Sequence, residues 1–564
     1  MRRFSTAGLL LAFLLASVPL PQSRAQRATT TSSVAPTAST ASVSTINAEL
    51  LEAAENITAA KLREDLYVVA SDTMAGRDTP SQGLDETAKF IAARLAALKI
   101  KPAGDNGTYF QNIELHSFKP DTEKTTADLS GRTLKFGQDF FVGNTNGSAS
   151  GALVYAGHGY VVKSKNINAY QGLDVRDKII VVAGSVLPAG VLRSDLKGAA
   201  GGEWDDAASY ARKNGARGLV VIPRNIERYW RLAVYRMSRD TFRPKRLDEA
   251  VAGASPSVPT LMPSVELVNA LFAGEKSSGE EILKGIAGRD AGESFALDAS
   301  KKLSFNVSAI VTTAKTQNVV GVLEGRDGKL KKEYVALGAH YDHVGTGRAD
   351  KTGDIIYNGA DDDGSGTVSI LALAEAFARG RRPRRSILFV WHCGEEKGLW
   401  GSEYFTEFPT VPLKQVVAQL NIDMIGRSKK EGDTNPLNRG LSGPNEIYVI
   451  GSKEMSTGLG ELSDRLNRSY LNINFNYLYD DPNDPNRFFF RSDHYNYAKK
   501  GVPIIFYFDG EHEDYHKPSD TPDKIDYSKM ERIVRTIFVT GSEIANAPKR
   551  PLVDKPLTPE RMDR

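Results

Sequence analysis

The spacing of apolar residues changes twice along the chain. From Ile46 they recur at helical intervals through INAELLEAAENITAAKLREDLYVVAS and again through LDETAKFIAARLAALKI (Leu84–Ile100). The Gly- and Pro-containing MAGRDTPSQG between them reads as a loop. From about Gly131 to Ser300 the runs shorten to strand length: GALVYAGHGYVV, DKIIVVAGS (Asp177–Ser185) and GLVVIP (Gly218–Pro223), with one helix-like stretch, DDAASYARKNGA. From about Leu303 the two signals alternate. EYVALGA, SILFVWH, VVAQLNI, EIYVIG and VPIIFYF read as buried strands; TVSILALAEAFARG, Ser452–Arg468 and Ile525–Ala545 read as helices. The pattern predicts an α/β fold, a mostly parallel mixed sheet sandwiched by helices. On this reading residues 46–130 and 301–546 build that fold, and 131–300 form an inserted, mainly β, segment.

The ends carry different signals. Arg2 and Arg3 precede the apolar run Ala7–Val18, and Ser23-Arg24-Ala25 offers small residues at a cleavage point. Residues 1–25 therefore read as a secretion signal, which implies a periplasmic or extracellular protein. The Ser/Thr/Ala-rich residues 26–45 cannot bury surface and read as a linker; the Pro-rich, charged residues 547–564 read as a tail. No later run approaches the ~18 apolar residues of a membrane span, so no stable membrane insertion is expected.

Charge excludes another class of partner. The chain has 72 basic and 69 acidic residues, and removal of the first 25 takes three arginines and no acid. The balanced remainder argues against nucleic acid. Cys393 is the only cysteine, so stability rests on packing rather than an internal disulfide.

In open α/β sheets ligands bind beyond the carboxyl ends of strands. His340-Tyr341-Asp342-His343 follows EYVALGA, Cys393-Gly394-Glu395-Glu396 follows SILFVWH, Asp423 follows VVAQLNI, and Tyr515-His516 lies in the loop after VPIIFYF. The loop GADDDGSG adds Asp361, Asp362 and Asp363 and opens a helix. Imidazoles and carboxylates without thiolates suit zinc, and so many donor segments suggest two ions sharing one carboxylate. A calcium loop is a poorer reading of DDDGSG, because its twelfth position is Ala372 where a bidentate Glu is required.

GAHYDH, GADDDGSG, EEKGLWGS, NIDMIG and YHKPSDT, in this order, resemble the co-catalytic zinc aminopeptidase and glutamate carboxypeptidase family, in particular bacterial leucyl aminopeptidases. DVRDKIIVV and AASYARKNGARGLVVI resemble the protease-associated domain inserted in such enzymes. The resemblance implies two Zn2+ per chain. His340 and Asp423 would bind one, Glu396 and His516 the other, with Asp362 bridging and joined to Asp363 by a cis peptide. Asp361 would be outer-shell or solvated. It implies Glu395 as the general base for a metal-activated water, Asp342 orienting His340, Tyr515 holding the oxyanion and Asp520 orienting His516. His343 and His512 are expected at the surface and His392 in the core. Arg491-Ser492-Asp493-His494 is expected beside the pocket without a catalytic role, and Cys393 is no nucleophile. The implied activity is an exopeptidase, foremost an aminopeptidase acting on peptide or protein N-termini. A carboxypeptidase or amidohydrolase on the same site is the alternative. A single-zinc cyclase and a non-catalytic binding or receptor protein with a vestigial peptidase domain fit the intact donor set less well. Nothing in the sequence indicates an oligomeric state.

Overall fold

The computed structural model describes residues 46–558 except 144–145, 185, 193–194, 197–199, 238–240, 253–257 and 482. The expected secretion signal and linker lie outside the described residues.

The helical pattern after Ile46 resolves into Ala48–Ala54, α1 (Ala59–Val69) and α2 (Gln82–Ala97). Thr58 and Ser81 cap α1 and α2 by accepting the backbone N–H groups of Lys61 and Leu84. The first sheet includes β1 (Phe110–Pro120), β2 (Ala309–Leu323), β3 (Tyr334–His340), β4 (Ser386–His392), β5 (Val416–Ile422), β6 (Glu446–Ile450) and β7 (Ile504–Phe508). Helices α3 (Gly366–Arg379) and α4 (Tyr527–Asn546) cover one face together with α1 and α2. The sheet is ten-stranded, and its labelled strands lie in the order β1-β2-β4-β3-β5-β7-β6.

Its centre is parallel: β3 pairs parallel with β4 and β5, and β5 with β7. Every residue of β4, β5 and β7 is buried, which is why these strands read as unbroken apolar runs. Antiparallel pairs flank this centre at β1–β2, β2–β4 and β6–β7, while β6 pairs parallel with the edge strand Asn474–Asn476, so the sheet is mixed.

Between β1 and β2 the chain builds a second, nine-stranded sheet. It includes Thr126–Leu129 and Arg132–Leu134 at one end and Lys302–Val307 at the other, so sheet membership runs past both ends of residues 131–300. Gly147–Tyr155, Ile179–Ala183, Gly218–Ile222 and Thr260–Pro263 run parallel at its centre. Parallel neighbours need crossovers, and Ala207–Asn214 supplies one of them, capped by Asp206. The strand-rich pattern did not predict the helices Val265–Phe272 and Gly279–Ala287, whose buried faces close this second core. Phe242–Pro244 leaves the second region and pairs antiparallel with β1 of the first sheet. Among the described residues no helix is long and apolar enough to cross a membrane.

One buried carboxyl gives the fold a pH signature. Asp480 accepts the Gly451 N–H at 2.5 Å, and burial, followed by the nearby Glu454, pushes its carboxyl up to about 7. A carboxyl raised on folding stabilises the native state fully below its unfolded pKa. That contribution is lost as pH rises from 3.8 through about 7. Asp480→Asn keeps the acceptor and removes the ionisation. Urea midpoints at pH 5 and pH 8 should show the variant gaining on the parent protein at the higher pH; an unchanged difference would refute this account.

Candidate metal centre

His340 is the last residue of β3, and Asp423 follows β5 directly. Between them stands the loop that opens α3. The His340 Nε2 atom lies 3.3 Å from Asp362 Oδ1, 3.6 Å from Asp423 Oδ1 and 3.9 Å from Glu395 Oε2. The other oxygen of Asp362 faces a second group. His516 Nε2 lies 3.0 Å from both Asp362 Oδ2 and Glu396 Oε2, and His343 Nδ1 lies 2.8 Å from Glu396 Oε1. Two donor groups thus meet on one carboxylate: His340, Asp362 and Asp423, and His343, Asp362, Glu396 and His516.

The fit to a metal ion follows from what these atoms lack. His340 Nε2, Asp362 Oδ2, Glu396 Oε1, His516 Nε2 and both ring nitrogens of His343 are buried with no hydrogen-bond partner. Buried polar atoms without hydrogen bonds cost free energy, so a cluster of them facing a common point suits a cation there. The protonation balance says the same. Burial favours a neutral His340, yet Asp423 and Glu395 hold its pKa well above the usual value. Burial also opposes charge on His516, but Asp362 and Glu396 push it up to about 10. Asp362 is desolvated too, and contacts with His340 and His516 still pull its carboxyl well below the usual range. Without an ion the carboxylates hold protons on the imidazoles; a divalent ion would displace them.

The three consecutive aspartates divide their work. Asp363 Oδ1 accepts the Gly366 and Met424 N–H groups at 2.8 and 3.2 Å, and its Oδ2 accepts that of His340 at 3.2 Å. Asp361 Oδ1 accepts the Gly426 N–H at 2.7 Å. Only Asp362 presents its oxygens to the donor groups, and its peptide bond to Asp363 is cis. Asp361 is fully buried rather than solvated, with its other oxygen 3.3 Å from His512 Nε2. Asp520 serves this loop rather than His516: its Oδ2 accepts the N–H groups of Asp361 and Asp362 at 3.0 and 3.2 Å.

His343 and His512, expected at the surface, are both buried; the first turns inward on the loop behind β3 and the second packs under the acidic loop. His392 is buried as expected, with Nε2 3.0 Å from the Tyr497 hydroxyl and Nδ1 3.4 Å from Asp493. Asp342 stands behind His340, whose Nδ1 lies 3.1 Å from the Asp342 carbonyl and 3.6 Å from its carboxylate. The same carboxylate accepts the Glu395 N–H at 3.2 Å. Burial raises the Cys393 thiol, which fits the absence of a nucleophilic role.

Arg77, in the MAGRDTP loop, had no expected role. It is fully buried and donates to the carbonyls of Val69, Tyr341, Asn358 and Gly359 at 2.7–2.9 Å. Burial lowers its pKa, opposed by Asp342, Asp362, Asp363 and Asp520. A charged residue in an otherwise turn-like loop was the available signal.

A pocket opens onto Glu395 and Asp423 and is floored by Phe488, Phe506 and Phe508, with Arg491 and Tyr515 at its side. Tyr515 stacks on His516 at 3.9 Å between ring centroids, and burial with the nearby Asp362 raises its phenol. Arg491 lies over the Phe488 ring and is paired with Glu511 at 2.6 Å.

The donor groups fall inside residues 318–540, which match the sequence profile of peptidase family M28. The chain carries a peptidase family M28 domain. A glutamate carboxypeptidase 2 homolog of Caenorhabditis elegans is 27% identical over 333 residues, 52% of this chain and 40% of the relative. A probable leucine aminopeptidase of Arthroderma otae is 27% identical over 242 residues, 41% of this chain and 59% of the relative. The matches therefore span about half the length of these relatives. Among solved structures, the aminopeptidase from Aneurinibacillus sp. strain AM-1 aligns over 90% of this chain and 98% of its own, with 16% identity and a TM-score of 0.49.

Proposed function

We propose that the chain is an exported aminopeptidase that holds two zinc ions on the shared carboxylate of Asp362 and removes N-terminal residues from peptides. The observation that carries this reading is the pair of donor groups on the two oxygens of Asp362, with Glu395 beside them and in neither. Export rests on the sequence before residue 26.

Zinc bound there would supply Lewis acidity towards the scissile carbonyl and lower the pKa of a coordinated water. The chain's residues do the rest. Asp342 fixes the His340 ring from behind and holds the backbone of Glu395, so imidazole and carboxylate keep one relative geometry. The Glu395 carboxylate accepts the proton of the attacking water and returns it to the leaving amine nitrogen. The Tyr515 hydroxyl is the donor to the oxygen that gains charge as the carbonyl becomes tetrahedral. Phe488, Phe506 and Phe508 exclude water from the side chain next to the scissile bond.

The same pocket supports an aminopeptidase over a carboxypeptidase. A carboxypeptidase needs a cation for the substrate carboxylate, and Arg491 is the pocket's cation. Its guanidinium is already held by Glu511, and Tyr515 lies close enough to share it. This favours a free amine and an apolar first side chain. A panel of aminoacyl-anilides, their N-acetylated counterparts and C-terminal peptide substrates tests the choice. Chelator-sensitive cleavage of free-amine compounds alone is expected; cleavage confined to blocked or C-terminal substrates would overturn it. Tyr515→Phe should lower kcat by about 10²–10³-fold with KM little changed. A variant with parental kcat would remove Tyr515 from the chemistry.

A further inference from the structure

We propose that His343 is a fourth protein donor of the second metal group, so that one ion is enclosed by four protein ligands and the other by three. This rests on the metal reading above and assigns a residue for which the family resemblance implies no ligand role.

The geometry is that of a coordination shell. Donors about 2.0–2.2 Å from a tetrahedral zinc stand roughly 3.3–3.5 Å apart. His343 Nδ1 lies 2.8 Å from Glu396 Oε1 and 3.6 Å from Asp362 Oδ2, bracketing that spacing. His516 Nε2 completes the group at 3.0 Å from Glu396 and from Asp362. Glu396 offers one oxygen to each imidazole. The two rings approach edge to face at 5.4 Å, as two imidazoles do around one point.

The ring is built into place. Its side chain is fully buried, and neither nitrogen has a hydrogen bond. The His343 N–H donates to the Arg77 carbonyl at 3.1 Å. Gly359 flanks the ring at φ +57°, and a Cβ there would lie 2.5 Å from His343 Cγ. The same glycine's carbonyl accepts from Arg77 at 2.8 Å. Arg77 and Gly359 therefore hold the ring with Nδ1 turned to Glu396 and Asp362.

The consequence is an asymmetric pair. A site closed by four protein ligands retains its ion, and a three-ligand site keeps a position open. The group of His340, Asp362 and Asp423, beside Glu395, is then the one that exchanges ligands with substrate. The His343 group loads first and holds its ion longer.

Two measurements on zinc-loaded protein test this. In an anomalous difference map of wild-type crystals, His343 Nδ1 should lie about 2.0–2.1 Å from the second ion. In competition titrations with a zinc chelator, His343→Ala and His343→Gln should weaken the tighter site by at least about tenfold and leave the other unchanged. The map needs no variant, so a variant that fails to fold does not rescue the proposal. Two ions with His343 Nδ1 away from both, or unchanged affinities in folded variants, would overturn the role of His343 alone. A wild-type protein that binds no zinc would overturn it together with the metal reading.

Discussion

Glu395→Gln should lower kcat by about 10²–10⁴-fold, roughly 3–5 kcal/mol of transition-state stabilisation, while zinc content, KM and folding stay at parental values. The reason is positional. Glu395 follows β4 on the same turn as Glu396, yet only Glu396 enters a donor group. The Glu395 carboxylate faces the pocket 3.9 Å from His340 Nε2, where burial raises its pKa well above the usual range and His340 opposes the rise. Its backbone N–H is tied to Asp342. Glutamine keeps the size and the backbone bond and cannot accept the proton. Stopped assays beside elemental analysis check this. A variant that loses zinc in parallel with activity would show Glu395 acting as a ligand, and one that keeps full activity would show it idle.

The largest effect on stability is expected at Arg77→Met. The guanidinium satisfies four backbone carbonyls from three separated stretches, Val69, Tyr341 and Asn358-Gly359. It also opposes the charge of Asp342, Asp362, Asp363 and Asp520. Methionine fills the space and strands those carbonyls beside buried carboxylates. Removing one partner of a buried charge cluster costs about 3–5 kcal/mol. Urea unfolding should show that loss, and the second zinc should dissociate more readily because the guanidinium holds the carbonyls of Tyr341, Asn358 and Gly359 around His343. A stability within about 1 kcal/mol of the parent would mean that water replaces the guanidinium.

The parts of the fold that were legible in the sequence share a physical cause. Central parallel strands are buried on both faces, so β4, β5 and β7 stand out as unbroken apolar runs whose ends show where a ligand-binding rim must lie. His340, Glu396, Asp423 and His516 are visible there because they end or follow apolar strand runs, and Asp362 because three acids crowd the loop that opens α3. What was not legible depends on contacts far apart in sequence. Arg77 finds its acceptors up to 282 positions away, so its charge in the loop could draw notice while its burial could not be read locally. His343 and His512 look like loop residues until the loops close over them. The antiparallel flanks escaped for a similar reason: β1 and β2 are long, partly exposed strands whose partnership is set by the chain that leaves and returns between them. Two of the helices that cover the second sheet, Val265–Phe272 and Gly279–Ala287, are only eight and nine residues long, and so short a periodicity stands out little among strand-like runs.

On the proposed function, two ions share Asp362 and the reaction requires both. This is tested most directly by stripping the purified protein with a chelator, adding zinc back in measured equivalents, and following both bound metal and hydrolysis of a leucine anilide. The stripped protein should be inactive, two zinc ions should bind per chain, and activity should return with them. Full activity without metal, or saturation of both signals at a single equivalent, would contradict it.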